Sequence, residues 1–226
     1  MIDKRAKIKD AIDLVKSDST LMIGGFTLFG CPLALLRELS TRDVTGLTTI
    51  SEDTGFGSTF RDWTATDLFE KRMIKQVCTS FIGNNKAVND LIHANAIELE
   101  LIPQGTLAER IRAAGAGLGG FYTPTGVGTV VENGKEKRVI DGKEYLLESP
   151  LTADFAFIKA YKADWMGNAI FKYTAMNFNP LMAMAAKTVI LEAEEVVPAG
   201  EINPEDVQLP GVFVDYVVKA GGCDLS

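Results

Sequence analysis

Short apolar runs alternate with segments of helical periodicity along most of the chain, and this alternation constrains the fold more than any other feature. The first run, residues 21–23, enters the pair Gly24-Gly25, and an amphipathic segment that starts with Pro32 follows it. Strands that alternate with helices form a parallel sheet, and right-handed crossovers place helices on both of its faces. The sequence therefore predicts an α/β fold with an open, mostly parallel sheet and helices on both faces.

Hydrophobic periodicity also predicts the individual elements. The predicted strands cover residues 21–23, 47–50, 74–79, 97–102, 155–161 and 188–191. The predicted helices cover residues 5–16, 32–39, 63–69, 87–94 and 106–114, and a last helix begins at Pro180 with Asn179 as its cap. Residues 212–218 are predicted as a strand or a helix near the end of the chain.

An antiparallel meander is predicted to interrupt the parallel sheet. Residues 130–132, 137–140 and 143–147 have strand patterns, and Asn133-Gly134 and Asp141-Gly142 between them are favoured hairpin turns. The sequence contains no internal repeat and no linker long enough to divide it. We therefore predict one domain, residues 1–226, with an inserted meander.

The charge balance excludes two classes of partner. Lys and Arg number 23 and Asp and Glu number 30, which gives a net charge of −7. An acidic chain has few cations to displace counterions from phosphates, so we expect neither nucleic acid nor an anionic membrane as a partner. Three cysteines and one histidine match no metal motif, so no metal is expected. The charged N-terminal segment lacks an apolar signal core, and the expected location is cytoplasmic.

The segment from Gly24 to Gly30 is the first candidate site. Backbone N–H groups at a glycine turn before a helix can bind an anion, and open sheets hold ligands at the carboxyl ends of their strands. A cofactor with phosphate groups would fit there, although the spacing matches neither the dinucleotide nor the P-loop fingerprint. A tight turn without a ligand is the alternative.

The segment after the predicted strand 97–102 is the second candidate. Gln104 stands at the mouth of the predicted sheet, where its amide could donate a hydrogen bond to a substrate oxygen. Thr106 and Glu109 have the spacing of a capping box, which is favoured over a catalytic role for Glu109. Arg110 and Arg112 are predicted to be solvated helix charges or salt bridges at a partner surface.

A glycine-rich segment, residues 115–128, is the third candidate. It contains six glycines, a density that predicts a loop instead of a helix. Long ordered loops in compact domains are often functional, and a purely connecting role is the alternative.

Three ordered motifs together resemble the α (A) subunit of family I coenzyme A transferases. They are Gly24-Gly25-Phe26 with Gly30 and Pro32, the run Pro103-Gln104-Gly105-Thr106-Leu107, and the glycine-rich segment up to Thr129. Asn177-Phe178-Asn179-Pro180 and Ala185-Ala186-Lys187 extend the resemblance to nearly the whole chain. Within the family the sequence is most similar to acetate, butyrate and acetoacetate CoA-transferase α subunits.

The resemblance implies a reaction and a partner. In this family homologous α and β subunits share one active site and move CoA from an acyl-CoA to a free carboxylate by a ping-pong route. The nucleophilic glutamate belongs to the β subunit, in a Ser-Glu-Asn-Gly context. Glu132-Asn133-Gly134 resembles the end of that signature, but the predicted hairpin turn explains it better. The resemblance therefore implies no catalytic nucleophile in this chain, a partner β subunit, and coenzyme A as a substrate with no permanently bound cofactor.

The resemblance also implies site residues. The CoA-binding turn would comprise Gly24, Gly25, Phe26, Thr27, Leu28, Phe29 and Gly30, and the substrate pocket would comprise Gln104, Gly105, Glu52, Asp53 and Asn85. The glycine-rich segment would close against the partner. Glu52 stands where relatives often carry Asn, and residues 56–63 also depart from the family, so the choice of acid stays open and a succinyl-type enzyme is an alternative.

Two further classes of function are weighed against this one. A dehydrogenase or a sugar-phosphate isomerase could use a similar sheet, but the dinucleotide fingerprint is missing and basic residues are scarce near the predicted mouth. A non-catalytic scaffold that binds CoA or a partner subunit is the other alternative.

Overall fold

The computed structural model describes residues 2–55, 66–83 and 85–221. In chain order the elements are α1 (Ile8–Ile12), β1 (Thr20–Ile23), α2 (Leu33–Leu39), β2 (Leu47–Asp53), α3 (Thr66–Glu70), β3 (Ile74–Phe81), α4 (Lys86–His93), β4 (Glu98–Leu101), α5 (Gln104–Gly115), β5 (Phe121–Thr123), β6 (Lys137–Ile140), β7 (Lys143–Glu148), β8 (Ala153–Asp164), β9 (Ala169–Ile170), α6 (Asn179–Ala185), β10 (Ala186–Val197) and β11 (Tyr216–Lys219).

Seven parallel strands form the main sheet in the order β11-β10-β8-β1-β2-β3-β4, and the short β9 pairs antiparallel with β8. The predicted fold class is thus confirmed. The chain winds outward from β1 in two directions, through β2 on one side and through β8 on the other. Such a reversal of winding opens a crevice at the carboxyl end of the central strand, which is where open α/β sheets bind ligands.

Both faces of the sheet are buried, because each carries its own apolar cluster. Met22 and Ile50 belong to the cluster that also contains residues of α5 and α6. Leu21, Ile23 and Leu47 point to the opposite face, where they pack with residues of α1, α2 and α4. The alternation along β1 follows the pleat of a strand, and the double burial explains why its sequence is apolar throughout.

The antiparallel meander exists, but one of its strands is not the predicted one. Residues 130–132 form a turn of 3₁₀-helix in place of a strand, because Thr129 Oγ1 accepts a hydrogen bond from the Val131 N–H and starts the turn. The third strand is instead β5, and the small sheet has the order β5-β7-β6. Asn133-Gly134 therefore joins no hairpin. Asp141-Gly142 does, with φ values of 51° and 76°.

Some predicted helix boundaries are also wrong. Helix α1 is shorter than the predicted 5–16, and only part of the predicted 63–69 lies among the described residues. Helix α5 begins at Gln104, two residues before the predicted cap, so Thr106 lies inside the helix with a buried hydroxyl that has no partner among the described residues. Glu109 pairs with Arg112 instead of closing a capping box. Of the predicted strand or helix at 212–218, only the second half is a strand, β11, because residues 211–213 form a 3₁₀ turn before it.

Within residues 2–55, 66–83 and 85–221, no helix has both the length and the apolar composition that crossing a membrane requires.

Candidate active site

A cleft opens beyond the carboxyl ends of β1 and β2, at the point where the winding of the sheet reverses. Its polar and glycine lining consists of Gly24, Gly25, Thr27, Cys31, Thr49, Ser51, Glu52, Asp53, Thr54 and Gly55, and its apolar lining of Ile23, Leu36 and Phe69. The structure therefore brings the predicted glycine turn together with Glu52 and Asp53, which are distant from it in sequence.

The glycine turn folds back on itself before helix α2. The N–H of Phe26 donates to the Phe29 carbonyl, and the N–H of Phe29 donates to the Phe26 carbonyl, both at 3.0 Å. Gly25, Thr27 and Gly30 have φ values of 112°, 54° and 75°, in the region where glycine is favoured. This conformation leaves Phe26 and Phe29 39% and 62% exposed.

Asn179 holds the glycine turn from below. Its Nδ2 donates to the carbonyls of Gly30 at 3.0 Å and Ala175 at 2.8 Å, and its Oδ1 accepts from the Lys159 N–H at 2.9 Å. Its side chain does not cap α6, so the predicted capping role is wrong: the sheet and the turn occupy all of its polar atoms. The motif Asn177-Phe178-Asn179-Pro180 was the sequence signal for this position, but nothing in it indicated a contact with the turn.

Asp53 holds the same turn from the side of β2. Its Oδ2 accepts from the Thr27 N–H and its Oδ1 accepts from the Gly55 N–H, both at 2.8 Å. Because both oxygens are occupied by backbone donors, Asp53 fixes the positive φ at Thr27 and ties the end of β2 to the turn.

Glu52 is the buried carboxyl group of the cleft, with 5% of the residue exposed. Ser80 Oγ on β3 donates to Glu52 Oε1 at 3.0 Å. Burial raises the pKa of Glu52 to about 7, and the charge of Asp53 acts in the same direction, while the hydrogen bond from Ser80 acts against it. Glu52 therefore exchanges its proton close to neutral pH.

Glu192 is a site-supporting residue that the sequence did not indicate. It is buried on β10, and its Oε2 accepts from the N–H groups of Ala34 and Leu35 at 2.8 and 3.2 Å. Lys159 Nζ lies 3.6 Å from the other oxygen. Burial raises the pKa of Glu192, and the Lys159 charge and the two backbone donors oppose that rise. Glu192 therefore anchors the first turn of α2, directly after the glycine turn.

The other predicted site residues lie outside the cleft. Gln104 and Gly105 are exposed at the start of α5, after β4, and β3 separates that strand from β2. Asn85 is fully buried, and its Nδ2 donates to the Thr54 carbonyl at 2.8 Å and to Thr66 Oγ1 at 3.3 Å. Asn85 therefore supports the loop after β2. Gln104 lies at the carboxyl end of β4, on the same edge of the sheet as the cleft, and its contact with the substrate stays a prediction.

A second depression lies on the opposite side of the glycine turn. Leu28, Phe29 and Gly30 line it, together with Lys159, Tyr161, Lys172 and Tyr173. The ammonium group of Lys172 stacks on the Tyr161 ring at 3.1 Å from its centroid. The predicted CoA turn therefore divides between two surfaces, with Gly24, Gly25 and Thr27 in the cleft and residues 28–30 beside these cations.

Residues 5–220 match the sequence profile of a protein family described as Coenzyme A transferase. The chain belongs to that family. The match covers all the elements that build the cleft, and it confirms the family that the sequence motifs predicted.

Several relatives of this CoA transferase chain are similar along nearly their whole length. The alpha subunit of the acetoacetyl-CoA:acetate/butyrate CoA transferase of Clostridium acetobutylicum is 45% identical over 219 residues, which are 97% of this chain and 99% of that protein. The A subunit of the probable succinyl-CoA:3-ketoacid coenzyme A transferase of Bacillus subtilis is 46% identical over 210 residues, 93% and 87% of the two chains. The A subunit of the 3-oxoadipate CoA-transferase of Pseudomonas putida is 45% identical over 229 residues, 100% and 97%. These relatives are named for different substrates at nearly the same sequence identity, so the identity alone does not indicate a substrate for this chain.

Solved structures of CoA transferases have the same fold. An acyl-CoA transferase from E. coli O157:H7 superimposes with a TM-score of 0.85 at 24% identity, over 98% of this chain and 49% of that one. Glutaconate coenzyme A-transferase from Acidaminococcus fermentans gives a TM-score of 0.82 at 22% identity, over 96% and 75% of the two chains. The chain thus spans about half the length of the first of these structures.

Proposed function

We propose that this chain is the α subunit of a short-chain acyl-CoA:carboxylate CoA-transferase of the acetate, butyrate or acetoacetate type. The observation that carries the proposal is the glycine turn of residues 24–30, which Asn179 and Asp53 hold at the switch point of the sheet. Membership in the CoA transferase family supports the chemistry, and the names of the relatives, which designate A or alpha subunits, support a partner β subunit.

The reaction moves one CoA group and consumes no ATP. A glutamate of the partner attacks the thioester carbonyl and releases CoA as the thiolate, which leaves an acyl-glutamyl anhydride. The thiolate then attacks the glutamyl carbonyl of the anhydride, releases the first acid as a carboxylate and forms glutamyl-CoA. The incoming carboxylate reverses these steps and leaves with CoA. Water must be excluded, because it would hydrolyse both intermediates.

The residues of this chain bind and orient the reactants in this proposal. The turn from Gly24 to Gly30 contacts CoA, and Gln104 and Gly105 approach the reacting carbonyl once the partner closes the site. Residues 115–128 contact the partner. Coenzyme A is a substrate, no cofactor is bound permanently, and the enzyme works in the cytoplasm in short-chain fatty acid metabolism.

A succinyl-type CoA-transferase is the second candidate. The B. subtilis relative, 46% identical and named for succinyl-CoA and a 3-keto acid, favours it. The two candidates differ in whether the acid carries one carboxylate or two.

A reconstitution experiment tests the proposed function. The purified chain should transfer no CoA from acetoacetyl-CoA to acetate or butyrate, because the attacking carboxylate is on the partner. Addition of the β subunit should restore transfer, with parallel lines in double-reciprocal plots as a ping-pong route requires. Full activity of the isolated chain, or a reconstituted complex that transfers CoA to succinate alone, would contradict the proposal.

A further inference from the structure

An exposed apolar patch lies beside the glycine turn and outside the lining of the cleft. It consists of Phe29, Tyr173 and Met176, which are 62%, 95% and 42% exposed. Phe29 and Tyr173 line the second depression, and Met176 ends the 3₁₀ turn that begins at Tyr173. Single exposed apolar residues are common on proteins, but a group of large ones often marks a contact with another protein.

The backbone of the apolar patch is held in place by the chain itself. Asn177 Nδ2 donates to the carbonyls of Phe29 and Thr174, both at 2.8 Å, so one side chain joins the glycine turn to the 3₁₀ turn. Tyr173 has a φ of 53°, a left-handed conformation that is uncommon for an aromatic residue. The patch is therefore positioned before a partner binds, and binding there orders little additional backbone.

The depression beside the apolar patch fits a protein side chain better than a nucleotide. Its volume is about 260 Å³, whereas sites for small molecules and cofactors usually enclose about 300–1,000 Å³. Leu28, Leu33 and Ala175 supply apolar walls, and Tyr161 and Tyr173 supply rings. A depression of this size and lining resembles the pockets that receive anchor side chains in protein interfaces.

One cation of the depression forms no ion pair with the described residues. The ammonium group of Lys172 lies 3.1 Å from the centroid of the Tyr161 ring and has that ring as its neighbour. Lys159, by contrast, lies 3.6 Å from carboxylate oxygens of both Glu192 and Glu194. Lys172 can therefore pair with a carboxylate that a partner brings, and such a charge would complement this surface.

We propose that the apolar patch and its depression form the docking surface for the β subunit, which inserts an apolar side chain into the depression and presents a carboxylate to Lys172. The glycine turn connects this surface to the cleft, because Gly24 and Thr27 line the cleft while Phe29 and Gly30 line the depression. A molecule that is bound there lies beside the cleft, and the cleft side of the turn stays free for the reactants.

The inference rests on the proposed function, which makes a β subunit the occupant. The attacking glutamate must arrive next to the glycine turn on another molecule, and a second copy of this chain would bring none. The acyl-CoA transferase of E. coli O157:H7 fits this arrangement: this chain covers 49% of that one, so that single chain contains a further part of about the same length.

Dissociation of the α/β complex on dilution, followed by sedimentation velocity, tests the docking surface. Tyr173→Asn removes the ring and keeps a residue that tolerates the left-handed backbone, so its urea unfolding should match that of the wild type. Its complex should dissociate at concentrations about 30-fold higher or more, the effect of a central aromatic side chain. Tyr173→Phe keeps the ring and should behave as the wild type. Val212→Asn removes a side chain of similar exposure, 81%, from another turn, and should change the dissociation constant by less than about twofold.

Two further variants test the charge and the identity of the occupant. Lys172→Met should weaken the complex at low ionic strength, and this difference should shrink as NaCl is added, because salt screens the pair with the partner. A photoreactive benzoylphenylalanine in place of Tyr173 should form its cross-link to the β subunit, and the same group in place of Val212 should not.

The possible results separate the two proposals. The docking surface is overturned if no complex forms, if Tyr173→Asn dissociates as the wild type does, if Val212→Asn weakens the complex equally, or if position 173 cross-links to a second copy of this chain or to nothing. Each of these results counts whatever the transfer activity. If position 173 cross-links to the β subunit and Tyr173→Asn weakens the complex, but the complex transfers no CoA, the docking surface stands and the proposed function fails.

Discussion

Gly24→Ala is expected to lower the free energy of unfolding by about 3 kcal/mol and to reduce the kcat/KM of the α/β complex by about 10²-fold or more. A Cβ atom at Gly24 would overlap Asn179 Oδ1 and lie 2.8 Å from Asn179 Cγ. Asn179 is fully buried and cannot swing into solvent. Its displacement would break its hydrogen bonds to Lys159, Gly30 and Ala175, and the glycine turn would shift with it.

Urea unfolding of the chain and initial rates of the complex measure the two effects. Gly105→Ala is the matched control for stability, because a Cβ atom there meets no atom within 4 Å and the residue lies in helix α5. That control should be as stable as the wild type or more stable by up to about 1 kcal/mol, since Ala favours helix. A Gly24→Ala protein with the unfolding midpoint of Gly105→Ala would refute the contact between the turn and Asn179.

Arg110→Leu is expected to destabilise the chain by about 3 kcal/mol, because it removes a largely buried cation that pairs with Glu100 and lies beside the buried carboxylate of Glu148. Arg110 is 9% exposed, its Nη1 lies 2.7 Å from Glu100 Oε1, and its Nε donates to the Ser149 carbonyl at 2.7 Å. Glu148, which is 1% exposed, lies 3.9 Å from the same Nε and pairs with Lys135. The network joins α5 to the end of the meander. Of the two predictions for Arg110, the solvated helix charge is therefore wrong, and a salt bridge forms, but within this chain.

Arg112→Leu is the matched control on the same helix. Arg112 pairs with Glu109 at 2.8 Å, and both side chains are 47% exposed, so its loss should cost at most about 0.5 kcal/mol. The pKa of Glu100 is lowered on balance: burial acts to raise it, and the hydrogen bond and charge of Arg110 outweigh burial. That contribution is present above the ordinary pKa of 4.5 and is lost as the pH falls, so the effect of Arg110→Leu should shrink in acid. Equal stabilities of the Arg110 and Arg112 variants near neutral pH would contradict the network.

The parallel sheet could be predicted from the sequence because its strands are buried on both faces. Apolar runs such as residues 21–23 have no other stable environment, and the glycine pair that follows marks where the strand ends. The resemblance to CoA transferases implied a pocket with Glu52 and Asp53, and they lie beside Gly24 because the carboxyl ends of neighbouring parallel strands share one edge of the sheet.

The parts that the sequence could not predict depend on long-range contacts. The side chain of Asn179 occupies the space where a Cβ atom of residue 24 would lie, so this position needs glycine. Glu192 anchors the first turn of α2. The sequence around each of these residues indicates neither contact. Residues 130–132 have a strand pattern, but β5 takes the place beside β7 and leaves them a 3₁₀ turn. The burial of Glu52 depends on the elements packed around β2, and only the structure gives its consequence for the pKa.

The location of the attacking carboxylate is the most direct test of the division of labour between the two chains. The α/β complex, incubated with acetoacetyl-CoA, is trapped with hydroxylamine or borohydride, and the modified glutamate is located by peptide mass spectrometry. We expect the modification on a glutamate of the partner, the β subunit, while Glu52 of this chain stays unmodified. A modified glutamate on this chain, at Glu52 or elsewhere, would contradict the proposal that the partner supplies the nucleophile.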